Sequence, residues 1–302
     1  MRSITPLKNR NVGYYQIAGV TIEVGFDLAM TGSTFHPKFR AFEVDGPGED
    51  TIKVRHRFHL PDANPADFGD EVYRRAPLAI YKRGGSWVYS VISKDPGDKR
   101  IRSLALFSHD HSRGEMYHDE TVKEVYRRGN LPSLTLFSTD QILLARVLAD
   151  RKGCYVHSSG VILDGKGFLF VGHSDAGKST MARMLKGRAE ILCDDRVIVR
   201  EWPDGMRIHG TWSHGIVPDV SPNCAPLKAI LLLEQSRENC LVPVNDQKTI
   251  ARKMLACLVK PLVTVDWWDK MLPLIGRMAS EVPCFFLKFD KSGRAVDLLE
   301  EL

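Results

Sequence analysis

Gly172-His173-Ser174-Asp175-Ala176-Gly177-Lys178-Ser179-Thr180 fits the pattern G-x-x-x-x-G-K-[ST] at every fixed position, and its flanks decide how it is read. Gly167-Phe168-Leu169-Phe170-Val171 before it is a short apolar run of strand length. Met181-Ala182-Arg183-Met184-Leu185 after it has few β-branched residues and continues as a helix. Strand, glycine loop and helix in that order make a P-loop. Its glycines let successive backbone N–H groups and the helix N-terminus point at phosphate oxygens. The expected nucleotide-binding set is therefore Gly172, Ser174, Asp175, Ala176, Gly177, Lys178, Ser179 and Thr180. Lys178 would reach the β- and γ-phosphates, and the Ser179 hydroxyl would sit on Mg²⁺. A glycine turn before an ordinary helix is the plainer reading, and the framing strand and helix weaken it. Gly172-x-Ser174-x-x-Gly177 is one residue too long for G-x-S-x-G, so Ser174 is not a hydrolase nucleophile.

Beyond the helix, which ends near Gly187, Ile191-Leu192-Cys193 is another short apolar run, and it finishes in Asp194-Asp195. Adjacent carboxylates at the end of a buried strand are costly unless a cation meets them, and Mg²⁺ on a nucleotide is the natural one. Upstream, Tyr155 to Leu163 and Phe168 to Val171 read as two apolar strands joined by a hairpin turn at Asp164-Gly165-Lys166-Gly167. His157 falls in the first of them. By itself it reads as a satisfied core histidine.

The chain has 302 residues, enough for two domains, and its composition is that of an ordinary globular protein. A net charge of +5 arises from 42 basic and 37 acidic residues, and the basic ones are scattered. That speaks against nucleic acid or an anionic membrane as partner. Six cysteines, Cys154, Cys193, Cys224, Cys240, Cys257 and Cys284, lie far apart without a C-x-x-C, and read as core thiols in a reducing compartment. Met1 to Gly19 is too polar for a signal peptide, and no apolar run approaches the ~18 residues of a membrane span. The expected location is the cytoplasm.

From Tyr14 to about Phe107 strand follows strand with period two, as in an antiparallel β-rich domain. Thr51 to Phe58 alternates strictly, with one face to be buried and a basic face (Lys53, Arg55, Arg57) that reads as solvated, an acidic partner or a phosphate on Arg55 and Arg57 being the alternative. Tyr81 to Tyr89 reads as a hairpin turning at Gly84-Gly85. His109-Asp110-His111 and His118-Asp119 could supply metal ligands, but the polar surroundings and missing second half-site favour a solvated loop. Near Ser138 the period changes to 3.6: Ser138 reads as N-cap with Gln141 completing a capping box, and Gly153 as the end of the helix. The resulting division is a β-rich domain, 1–137, and a nucleotide-binding domain, 138–302.

His157, the glycine loop and Cys193-Asp194-Asp195-Arg196-Val197 together resemble the catalytic domain of bacterial HPr kinase/phosphorylase. The wider group includes ATP-dependent phosphoenolpyruvate carboxykinase and HPr-kinase-like proteins encoded beside peptide natural products, some of which phosphorylate a peptide serine. Lys228 to Glu234, with Asn239 after it, is similar to a further strand of that domain, so the likeness spans about Tyr155 to Val242. It implies an α/β fold, an HPr-kinase-like C-terminal domain preceded by the β-rich one. It also implies Asp195 as general base with His157 beside it, Lys178 on phosphate, and Ser179 with Asp194 on the metal. His173 replaces an acidic residue of the family, Asp175 replaces a third glycine, and Arg207 stands where a metal-holding glutamate is expected. The reverse dephosphorylation is therefore not expected, and HPr is not the expected substrate.

The implied function is Mg-ATP-dependent phosphoryl transfer to a hydroxyl of a peptide or small protein, with GTP and a homo-oligomer left open and the β-rich half as a docking element. Two alternatives stand beside it: a kinase for a small-molecule hydroxyl, and a nucleotide-binding module with little turnover. Both aspartates, the lysine and the histidine are present, which favours an enzyme.

Overall fold

The alternating pattern of the N-terminal half becomes strands β1 (Arg10–Ile17), β2 (Val20–Met30), β3 (Glu43–Val44), β4 (Thr51–Arg57), β5 (Asp70–Arg75), β6 (Leu78–Arg83), β7 (Ser86–Ile92), β8 (Ile101–Phe107) and β9 (Arg113–His118), followed by α1 (Glu120–Arg128). The computed structural model describes residues 10–93, 97–98, 100–137, 139–260 and 264–302. Contacts divide the chain into two units, Met1–Asp140 and Gln141–Leu302.

In the first unit the strand order is β3-β1-β2-β4-β9-β8-β7-β6-β5. The expectation of an antiparallel sheet is corrected here, because β2 pairs with β4, and β4 with β9, in parallel. Period two identifies a strand facing a core but carries no information about the direction of its partner. One face, which includes Ile22, Ile52, Val54, His56 and Met116, is fully buried. Its covering residues include Phe35, Phe39 and Tyr126. The other face carries Arg55 and Arg57, each paired with a carboxylate, Glu23 and Glu115 respectively.

His109 and Asp110 are exposed at the turn between β8 and β9, as a solvated loop requires, but the other histidines of the segment are not solvated. His111 and His118 are buried. Nδ1 of His56 lies 2.9 Å from Nε2 of His118, whose Nδ1 meets Ser103 Oγ at 2.8 Å, while His56 Nε2 reaches the Leu134 carbonyl at 3.0 Å. Hydrogen-bonded in a chain, the imidazoles behave as core residues, which polarity of the sequence could not foretell. Among the described residues no group of three or more His, Cys, Asp or Glu is arranged to hold a metal. No described helix is long and apolar enough to cross a membrane.

The second unit begins with α2 (Gln141–Ala149) and continues β10 (Gly153–Val156), β11 (Ser158–Leu163), β12 (Lys166–Val171), α3 (Lys178–Leu185), β13 (Glu190–Cys193), β14 (Val197–Trp202), β15 (Gly205–His209), β16 (Cys224–Gln235), β17 (Cys240–Pro243), α4 (Gln247–Cys257), α5 (Val265–Glu281), β18 (Cys284–Phe289) and α6 (Arg294–Glu300). Ser138, the expected N-cap, lies outside the described residues. The helix starts at Gln141 rather than beside Ser138, and it stops at Ala149, so Gly153 opens a strand instead of closing the helix.

The sheet runs β10-β14-β15-β16-β12-β11-β13, with β18 on the other side of β16 and β17 beside β18. At its centre β12, β16 and β18 are parallel. Alternation sends Phe168, Phe170, Ala229 and Leu231 to a cluster with Met181 and Leu185 of α3 and Val296 and Leu299 of α6. The intervening Leu169, Val171, Ile230 and Leu232 join Met254 of α4 and Trp267, Met271 and Leu274 of α5. A sheet covered on both faces explains the nearly unbroken apolar runs of these strands. Each large side chain so buried contributes roughly 1.5–3 kcal/mol. The β11–β12 turn is two residues, Asp164 at φ 50° and Gly165 at φ 74°, the left-handed pair that Asp-Gly accommodates. The mixed α/β architecture agrees with the expected fold class at that level.

Candidate functional site

Parallel strands end at a common edge, and the ends of β12, β16 and β18 hold the glycine loop there. Gly177, at φ 104°, is the N-cap of α3, and a Cβ on it would lie 2.5 Å from Cζ of Phe289 at the end of β18. Only glycine fits both the angle and the space. Asp175 takes the left-handed conformation too, at φ 65°, and Gln235 at the end of β16 donates from Nε2 to its carbonyl at 2.6 Å. Asp is among the few side chains that tolerate this region, so the loop keeps its bend where the resembling family has glycine. Lys178 is buried, and its Nζ donates to the carbonyls of Gly172 and His173, 2.9 Å from each. Burial pulls its pKa below that of an ordinary lysine, opposed by Cys257, Asp175 and Asp194 nearby.

Asp194 and Asp195 leave the end of β13 in different surroundings. Asp194 is 2% exposed, and its two oxygens accept from the backbone N–H groups of Gly215 (2.5 Å) and Val217 (2.8 Å). Asp195 is half-buried, ion-paired to Arg196, with His157 Nε2 3.4 Å from its Oδ1. Cys193 supports this end of the strand: its thiol donates to the Ser213 carbonyl, and its sulfur accepts from the N–H groups of Asp195 and Arg196.

His157 does not lie within a strand. The run from Tyr155 to Leu163 is broken at this residue, β10 pairing with β14 while β11 pairs with β12 and β13. The break is held by two backbone bonds, His157 N–H to the Cys257 carbonyl (2.7 Å) and Ser158 N–H to the Asp195 carbonyl (3.1 Å). An imidazole expected in the core is thus 43% exposed beside Asp195. Partial burial lowers its pKa below the usual value, with Lys178 and Arg196 acting in the same direction.

These groups line one cleft of about 690 Å³, formed by His157, Ser174, Asp175, Gly177, Lys178, Ser179, Thr180, Asp194 and Asp195 from the expected set. Gly172 and Ala176 lie apart, on a second cavity of about 450 Å³ against Lys253 and Cys257. Sequence reasoning missed Arg183, Gln235, Asp290 and Lys291 of the main cleft, and the segment Gly215-Ile216 that carries the N–H group bonded to Asp194. Arg196 was in the quoted stretch without a role. Nothing in the spacing of Gly215 or Lys291 announces them, because the fold alone brings those loops to the strand ends. The six cysteines are not uniformly core thiols: Cys224 is exposed, and Cys240 and Cys257 are partly so. Arg207 pairs with Asp204 at the β14–β15 turn and does not line the cleft.

The donor set suits a small hard cation carried on phosphate. Mg²⁺ is held by one or two carboxylates together with phosphate oxygens and water, not by a cage of protein ligands. Each Asp194 oxygen spends one lone pair on a backbone N–H and keeps another, and Ser179 offers a hydroxyl in the same cleft.

Residues 133–302, more than half of the chain, match the family described as SynChlorMet cassette protein ScmC. The chain belongs to the ScmC family. The ScmC match takes in every residue lining the cleft and leaves β1 to β9 outside it. No curated protein matches the chain. Among solved structures there is a weak likeness to the Hpr(Ser) kinase/phosphatase from Coxiella burnetii, at 13% identity and a TM-score of 0.30, over 49% of this chain and 93% of that one.

Proposed function

We propose that this ScmC-family chain transfers the γ-phosphoryl group of Mg-ATP to a hydroxyl of a peptide or protein. One observation carries the reading: Ser174, Asp175 and Gly177 to Thr180 of the loop, both aspartates and His157 line a single cleft. Phosphoryl transfer needs little covalent chemistry from the protein, so positioning and charge neutralisation are most of the task. Loop N–H groups and the α3 N-terminus would take the phosphate oxygens, and Lys178 would exchange its two carbonyl contacts for the β- and γ-phosphates. Mg²⁺, held by Ser179 and Asp194, would neutralise charge on the phosphates. Asp195 would accept the proton of the attacking hydroxyl, with His157 beside it as an orienting neighbour. Arg196, ion-paired to Asp195, would hold that carboxylate in place.

The test is intact-mass analysis of candidate acceptors after incubation with Mg-ATP. The family's description as cassette proteins directs the first choice to peptides encoded in the same cassette. A gain of one phosphoryl group that Lys178→Ala abolishes supports the proposal. Nucleotide binding without transfer to any acceptor, or to water, would leave the binding-module reading in its place.

A further inference from the structure

The second cleft of comparable size, about 690 Å³, lies within the N-terminal unit, on the face of the sheet opposite its aromatic core. Four of the side chains lining it are cationic, Lys53, Arg55, Arg83 and Arg113, against one carboxylate, Glu115. Register explains the arrangement. Lys53 and Arg113 are direct cross-strand partners on β4 and β9, a like-charge pairing that sheets ordinarily avoid. The Arg55 guanidinium lies across Gly25, where a Cβ would collide with it.

Neutralisation on this face is incomplete. Glu23 is shared between Arg55 and Lys53, and Glu115 turns to Arg57. Arg83 and Arg113 are exposed, and among the described residues neither guanidinium has an ion-pair partner. Between these cations Leu106 leaves 38% of its surface in solvent. A face that keeps like charges adjacent around an exposed leucine breaks two local rules at one place, which is where a ligand is to be sought.

We propose that this groove binds an extended acidic peptide segment, its carboxylates on Arg83, Arg113 and Lys53 and an apolar side chain on Leu106. From β4 to β6 the groove crosses four inter-strand gaps, about 19 Å, the length of roughly six extended residues. Arginine forks match carboxylates in two-point contact, and the apolar patch gives a peptide side chain something to cover. Nucleic acid fits less well. Single strands are held by stacking on exposed aromatic rings, whereas the one aromatic lining residue, Phe107, is 3% exposed, and Glu115 would face the phosphates. The site lies in β4 to β9 and does not depend on the phosphoryl-transfer reading.

The test uses the full chain and a fluorescein-labelled peptide of about eight residues alternating Glu and Leu, read by anisotropy at low salt. Its Gln-Leu counterpart should bind at least about tenfold more weakly, and Arg83→Gln with Arg113→Gln should weaken the Glu peptide roughly tenfold. Arg75→Gln, on an exposed arginine of β5 outside the groove, should leave binding unchanged. If the double variant melts below the parent chain, the two single variants carry the test, each with a loss of about three- to fivefold. Equal binding of the Glu and Gln peptides, or undiminished binding by the groove variants, overturns the proposal. So does displacement of the peptide by an oligouridylate at lower concentration with the same dependence on Arg83 and Arg113.

Discussion

Asp194 and Asp195 are neighbours in sequence, and their oxygens meet different partners, so their substitution should fail in different ways. Asp195→Asn keeps the shape but removes the proposed base, and transfer to an identified acceptor should fall by roughly 10² to 10⁴ while nucleotide affinity persists. Steady-state rates beside equilibrium binding of ATP check this; unchanged transfer would end the general-base role. Asp194→Asn turns one oxygen into an NH₂ that must face the N–H of Gly215 or Val217. Leaving buried donors opposed should destabilise the fold by about 1–3 kcal/mol, read as a lower urea midpoint, besides weakening the dependence on Mg²⁺. The buried histidines set a pH dependence. Burial brings His118 down to about 4 and lowers His56 well below its ordinary value, with Asp119 opposing the shift at His118 and the His118 charge adding to it at His56. An unfolded histidine titrates near ~6.5, so between that pH and about 4 the unfolded chain binds more protons. Stability is fully present above ~6.5 and is lost as pH falls towards about 4, and His209, also lowered to about 4 by burial, acts with the same sign. Urea midpoints compared at neutral and mildly acid pH measure it; a flat profile would contradict the buried imidazole chain. This sensitivity was not legible in the sequence, where His118 stood among polar residues.

The strand, loop and helix around Gly172 to Thr180 were legible because each has a local cause: an apolar run, glycines at fixed spacing, and good helix formers. The break at His157 was not, since Tyr155 to Leu163 is apolar or small throughout and only the pairing of β10 and β11 with different strands interrupts it. Parallel pairing in β2, β4 and β9 was hidden for the same reason: it is decided by the crossover, not by the strand's own residues. Two glycines of the second unit now separate conformational need from functional need. Gly165→Ala meets nothing within 4 Å but must hold φ 74°, so it should cost about 1–2 kcal/mol and leave nucleotide binding intact. Gly177→Ala carries that strain and also drives a methyl group to 2.5 Å from the Phe289 ring. It should lose Mg-ATP-induced thermal stabilisation as well as stability, and calorimetry of the pair with and without nucleotide distinguishes the two effects. A Gly177→Ala protein that kept the full ligand shift would detach the loop from nucleotide binding.

On the scale of the whole chain, the division at Asp140 and Gln141 separates the cleft residues, all within the second unit, from the basic groove in the first. The clusters that flank the β12, β16 and β18 ribbon draw their side chains from 141–302 alone. A nucleotide bound at the ends of those strands therefore has its own core to stabilise. At a free concentration near 100 Kd, Mg-ATP should stabilise the state that binds it by about 2.7 kcal/mol. Segment-resolved hydrogen exchange should report this as slower exchange in β10 to β18 and α3, with the amides of β1 to β9 unaltered. Lys178→Ala should show the free-state pattern at the same nucleotide concentration, because its Nζ sits on the loop carbonyls that the phosphates would displace it from. Slowing that extended equally over β1 to β9 would mean that the two units open as one, and that the nucleotide site draws its stability from the entire molecule.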